Sequence, residues 1–198
     1  INAGLVIDQL TVDESDRGVS GISSSIRVSK AVMNVSGQAI QGYDGGSIQL
    51  DQIYSDSEMG VAVFSNTTLT MADVSLRADF DGIYVDNSAA YIDRLRIDGP
   101  AYGFSAVFPH AQVNMADVFI VNTNLEALGL YMGASVDAER VHLSDNENIG
   151  LGLWDAGTTM TVSDLIVHNT QPLQNATYAE YLAPYLGWFG YGILVFDG

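Results

Sequence analysis

The sequence contains no cysteine, so it has neither a disulfide framework nor a thiolate metal site. It also has few cations: seven Lys and Arg face 24 Asp and Glu, which gives a net charge of −17. A surface this acidic repels phosphate backbones and argues against nucleic acid as a partner. No run of about 18 consecutive apolar residues occurs, so we expect no membrane span. Apolar residues nevertheless make up 47% of the chain, which is ample for a core.

A glycine followed by a short apolar alternation recurs along the chain. Copies begin at Gly60, Gly82, Gly129, Gly150 and Gly192, with looser copies at Ala39 and Gly103. Aligned from Gly18 to Gly150, the successive units are 21, 21, 22, 21, 26 and 21 residues long. A register held over this many units is typical of a repeat architecture.

Two further apolar alternations follow in each unit, such as Leu69 with Met71 and Val74 with Leu76. Alternation with a period of two predicts strands with one buried face. Three short strands cannot bury their inner faces alone, but stacked coils enclose a continuous apolar column. The sequence therefore predicts an all-β fold, a right-handed parallel β-helix (solenoid) with about 21 residues and three short strands per coil.

This repeat resembles that of the pectate-lyase-like superfamily of right-handed parallel β-helix proteins, although no active-site signature accompanies it. The regular coils cover residues 4–170 and a new coil begins at 190–198, so we interpret residues 1–198 as a single β-helix domain. Residues 171–189 form an insertion in which Tyr178, Tyr181 and Tyr185 lie at helical spacing, which predicts a short amphipathic turn.

Both ends of the sequence are typical of coils and not of polar caps. Strand-like sequence begins at Ile1, where Met is absent, so we expect a fragment of a longer chain. Uncapped solenoid ends expose strand edges and core side chains. We therefore expect neighbouring domains or other chains to cap both ends.

The alternation also predicts which side chains of the first strand face outward. They form a ribbon of rings: Tyr43, Phe64, Tyr84, Phe108, Tyr131, Trp154 and Phe196. Three interpretations stay open. The insertion or another protein covers the ribbon, since exposed apolar ribbons are rarely left bare; sugar rings stack on it as ligands; or ring stacking stabilises the sheet.

Acidic residues cluster at the corner that closes each coil, and stacking would form them into a carboxylate ladder. The members are Asp13, Glu14, Asp16, Asp56, Glu58, Asp79, Asp81, Asp98, Glu126, Asp145 and Glu147. Calcium, which takes roughly six to eight oxygen ligands, is the candidate cofactor. Its candidate ligands are Asp79, Asp81, Asp98, Asp145 and Glu147. The alternative is a set of solvated turns whose charge blunts lateral aggregation.

The resemblance implies a search for lyase chemistry, in which calcium-binding aspartates lie beside an Arg base. The candidate catalytic residues are Arg77, Arg96, Asp79, Asp81 and Asp98. Asp56, Arg77 and Asp98 are predicted to occupy equivalent positions on consecutive coils, which favours ion pairing over catalysis. We therefore expect a secreted or cell-surface scaffold that binds carbohydrate or a protein partner; the alternative is a polysaccharide lyase or another carbohydrate-active enzyme. Whether the chain is an enzyme stays open at this point.

Overall fold

A computed structural model describes residues 3–172 and 190–197. These residues form fifteen strands and no helix, so they include no helix that could cross a membrane. The predicted amphipathic turn of the insertion lies outside the described residues. The strands are β1 (Gly4–Ile7), β2 (Leu10–Ser15), β3 (Val19–Ile22), β4 (Ser25–Val28), β5 (Ala31–Tyr43), β6 (Ser47–Val63), β7 (Thr68–Asp86), β8 (Ala89–Asp98), β9 (Tyr102–Val107), β10 (Gln112–Val121), β11 (Glu126–Tyr131), β12 (Ser135–Ser144), β13 (Ile149–Trp154), β14 (Thr159–His168) and β15 (Tyr191–Phe196).

The strands pair in parallel with their equivalents one coil away. β8, β10, β12 and β14 stack on one side, while β9, β11, β13 and β15 stack on another. The longer strands β5, β6 and β7 run around corners of the coil and pair in that order, and β7 also pairs with β8 of one stack and β9 of the other. The fold is an all-β parallel solenoid of about eight turns with about 22 residues per turn, which confirms the predicted fold class.

The core is the apolar column that the inward-facing side chains build. Along the second strand of the coil, Ile48, Leu69 and Ala90 occupy one register position and are buried. Phe104 of the first strand is the largest fully buried side chain. Because the buried side chains of successive turns form one continuous cluster, each turn is stabilised by its neighbours.

The strand register corrects the alignment of one repeat unit. Sequence spacing matched Gly129 with Gly103 and Gly150, but the register places Ala127 at that position. The two units are therefore 24 and 23 residues long instead of 26 and 21. The prediction was wrong because glycine occurs at an outward position here, two residues beyond the position where the other repeats have their leading glycine.

One corner of the coil carries a ladder of alternating charge that sequence analysis missed. Gln52, Asp73, Arg94, Asp117, Arg140 and Asp164 occupy this corner, with φ between 54° and 58°. Arg94 donates to Asp73 at 2.6 and 3.1 Å, and Arg140 donates to Asp117 at 2.6 and 2.9 Å. Exposed pairs of this kind stabilise a fold only weakly, but the alternation keeps like charges off neighbouring turns.

Candidate functional site

The aromatic ribbon is a column of rings with a gap in its middle. Tyr43 and Phe64 stack with centroids 4.9 Å apart and planes at 9°. Tyr131 and Trp154 stack at 6.4 Å and 4°, and Phe196 follows Trp154 at 5.9 Å. Between these two stacks the same register position is filled by residues without rings, Asp86 and Val107. The column therefore lacks a ring on two consecutive turns.

Two residues of the predicted ribbon lie beside the column. Tyr84 is two residues earlier on its strand than Asp86, and its ring lies 5.6 Å from Phe64. Phe108 follows Val107 in the turn after β9, at a φ of 74°, and is 40% exposed. Sequence alternation did not place Phe108 beside the column because the unit that starts at Gly103 has one more residue before this ring than the unit that starts at Gly60 has before Phe64.

The gap in the column forms a groove of about 380 Å³, which we call the aromatic slot. Ser105 and Val107 are the small side chains of the slot, and Tyr84 and Tyr131 line it as well. Tyr84 and Tyr131 belong to turns two apart, so their backbones are separated by about 10 Å along the solenoid. That spacing leaves room for a small ring between two tyrosines.

The rest of the lining adds further rings and one carboxylate to the aromatic slot. Phe80 and Tyr102 are in edge contact at 5.8 Å, and Phe80 and Met132 are 42% and 51% exposed. Asp81 shares a register position with Tyr102, and burial raises the pKa of its carboxyl group to about 6. All seven Lys and Arg of the chain lie among the described residues, and none lines the slot.

A second carboxylate, Glu126, is buried next to the slot and accepts hydrogen bonds from two rings of the stack formed by Tyr131, Trp154 and Phe196. Tyr131 donates its hydroxyl hydrogen to one oxygen of Glu126, and Trp154 Nε1 donates to the other at 2.8 Å. Burial raises the pKa of Glu126 to about 7, although both hydrogen bonds act in the opposite direction. Glu126 is only 4% exposed, so its predicted place in an exposed carboxylate ladder was wrong.

The glycines at outward positions 129 and 152 make room for this buried carboxylate. A Cβ atom on Gly152 would overlap Oε1 of Glu126, and one on Gly129 would lie 2.5 Å from Oε2. Outward-facing positions of a solenoid normally carry side chains, so two glycines there are a sequence signal for a side chain that folds over the strand. Sequence analysis missed it because it aligned Gly129 with the leading glycines of the other repeats, Gly103 and Gly150, instead of with Gly152.

The candidate lyase residues are divided between separate groups. Arg77 is 3.6 Å from Asp56, and the predicted register of Asp56, Arg77 and Asp98 is confirmed. Arg96 donates to Asp98 at 2.8 Å and lies over the ring of Phe119 at 5.1 Å. Both arginines are thus occupied by structural partners, whereas Asp81 lies in the aromatic slot.

The carboxylates of the predicted calcium ligands are likewise apart. Asn122 donates to Asp98 at 2.8 Å, and this bond together with Arg96 holds the pKa of Asp98 below its usual range. Asn169 donates to Asp145 at 2.7 Å, while Glu147 forms a backbone bridge with Gln171. Across residues 3–172 and 190–197 no group of three or more His, Asp or Glu could hold a metal ion. Calcium binding through Asp79, Asp81, Asp98, Asp145 and Glu147 stays a prediction.

The aromatic slot is therefore the candidate functional site. It combines flat rings and phenolic hydroxyl groups with a carboxylate, on a rigid stack of strands that holds each group in place. No family model, curated protein or solved structure matches this chain. The side chains of the slot are therefore the basis for the proposed function of this chain.

Proposed function

We propose that this solenoid is a rigid secreted or cell-surface scaffold that binds carbohydrate at the aromatic slot. One observation carries the proposal: the gap in the aromatic column leaves Tyr84 and Tyr131 two turns apart with small side chains between them. A pyranose ring has an apolar face that packs on aromatic rings and hydroxyl groups that bond to polar side chains. We also propose a distant relation to the pectate-lyase-like superfamily, supported by the repeat alone.

Replacing Tyr84 with alanine is expected to weaken oligosaccharide binding about fivefold, since one ring contact is worth roughly 1 kcal/mol. Affinity is measured by titration calorimetry against a panel of neutral, acidic and amino-bearing oligosaccharides. Tyr91→Ala is the matched control, because Tyr91 is an equally large ring, 50% exposed, that lines a different groove. Equal affinities for Tyr84→Ala and the unmodified protein would contradict the proposed site, as would the absence of binding to every member of the panel.

The protonation of Asp81 favours a second function, catalysis on the bound carbohydrate. A carboxyl group whose pKa is raised to about 6 can serve as a general acid or base near neutral pH. The enzyme would be a polysaccharide lyase or another carbohydrate-active enzyme. Mass spectrometry of each bound oligosaccharide, with ultraviolet detection of unsaturated products, tests this alternative. A product that disappears in Asp81→Asn supports catalysis, and intact oligosaccharides after prolonged incubation leave binding as the function.

A further inference from the structure

We propose that the aromatic slot selects an amino sugar, meaning a sugar ring that carries a protonated amino group. The inference rests on the proposed function and narrows its ligand class. It distinguishes this ligand from the neutral and uronate-containing glycans that the same rings could otherwise accept.

The charge of the slot is the first reason. Asp81 lies in the lining, and Asp86 occupies the neighbouring gap position of the column. Burial raises the pKa of Tyr84, and the charges of Asp86 and Asp81 raise it further, so both carboxylates act on this ring. No Lys or Arg lines the slot, so a cationic ligand would meet no positively charged side chain of the lining there.

The rings are the second reason. A cation is attracted to the negative face of an aromatic ring, and the attraction grows when both groups are removed from water. Tyr84, Tyr102 and Tyr131 line one groove together with Phe80, which contacts Tyr102 edge-on. An ammonium group in this groove would meet several rings as well as the Asp81 carboxylate.

The desolvation of Asp81 is the third reason. Its carboxylate is partly removed from water by the fold itself, so pairing it with a ligand cation adds little further desolvation. A uronate carboxylate in the same place would be repelled by Asp81 and by a chain of net charge −17. The slot therefore disfavours acidic glycans and favours glycans that carry an amine.

The test compares a glucosamine trimer with an N-acetylglucosamine trimer, since both have similar rings but only the first is charged. We expect the glucosamine trimer to bind at least tenfold more tightly at near-physiological salt, where distant surface charges are screened. Asp81→Asn is expected to remove this preference while residual binding persists. Asp137→Asn, which deletes an exposed carboxylate from another groove, is expected to retain the preference.

Each outcome separates this inference from the function on which it rests. Equal affinity for both trimers, or a preference that survives in Asp81→Asn, would overturn amino-sugar selection and leave carbohydrate binding intact. Affinity for choline equal to that for the glucosamine trimer would show recognition of the ammonium group alone and would overturn the assignment to a sugar. No binding of either trimer, with no binding of neutral oligosaccharides, would refute both proposals. Thermal melting verifies that the Asp81→Asn protein is folded.

Discussion

The unmodified protein is expected to become less stable as the pH rises from about 4.5 to 7, and replacing Glu126 with glutamine is expected to abolish this decrease. In the folded state burial raises the pKa of Glu126 from 4.5 to about 7. The folded protein therefore binds a proton more tightly than the unfolded chain does. The stability contributed by that proton is fully present below about pH 4.5 and is lost as the pH rises through about 7.

The size of this effect follows from the shift in pKa. Each unit of difference between the folded and unfolded states corresponds to about 1.4 kcal/mol, so the change is on the order of 3 kcal/mol over the whole range. Glutamine keeps an oxygen that accepts the Trp154 hydrogen bond, and its amide group can donate to the hydroxyl oxygen of Tyr131. The variant thus retains the local geometry without a titrating group.

Urea unfolding at a series of pH values measures this difference, followed by the fluorescence of the two tryptophans. The part of the pH dependence of the unfolding free energy that disappears in Glu126→Gln is the contribution of Glu126. The part that remains comes from other groups such as Asp81, whose pKa is also raised. Glu58→Gln is the control, because Glu58 is an exposed glutamate and its replacement is expected to leave the pH dependence unchanged. Parallel pH profiles for the unmodified protein and Glu126→Gln would show that the carboxylate is not desolvated.

Replacing Gly103 with alanine is expected to destabilise the solenoid by about 3 kcal/mol, the upper range for overpacking a well-packed interior. The added Cβ would overlap the carbonyl oxygen of Ala127 on the next turn and would lie 2.5 Å from Cγ2 of Ile120. The carbonyl belongs to a paired strand and cannot move without disturbing the ladder between β9 and β11. Chemical unfolding gives the free energy change.

Gly192→Ala is the matched control for this prediction, because Gly192 occupies the same register column. There the added Cβ would lie 3.6 Å from Val167 Cγ1, an ordinary van der Waals contact, so the expected change is well below 1 kcal/mol. A similar stability for both variants would mean that the turns can separate locally and that the close approach at Gly103 is not a constraint.

Local patterns predicted much of this protein because the same pattern recurs on every turn. The alternation of Leu69 with Met71 and of Val74 with Leu76 identified inward-facing positions that are buried in the structure. The register of Asp56, Arg77 and Asp98 followed because the intervening units are of regular length. Such assignments need only the strand period and a constant repeat.

The candidate site could not be predicted in the same way because its contacts join residues on different turns. Trp154 donates a hydrogen bond to Glu126, which lies 28 residues earlier in the sequence. The repeat unit between them is one whose length the sequence spacing gave wrongly. The aromatic slot exists because Asp86 and Val107 fall at ring positions, and the extra residue before Phe108 concealed that gap.

The sequence by itself determined a parallel solenoid with an apolar column inside and aromatic residues on one outer side. These features repeat with the strand period, so an error at one unit leaves them intact. Only the tertiary structure decided which outward side chains meet, because unit lengths vary from turn to turn and a shift of two residues moves a ring to another column. The pairing of Glu126 with two rings and the position of Asp81 in the slot depend on that register.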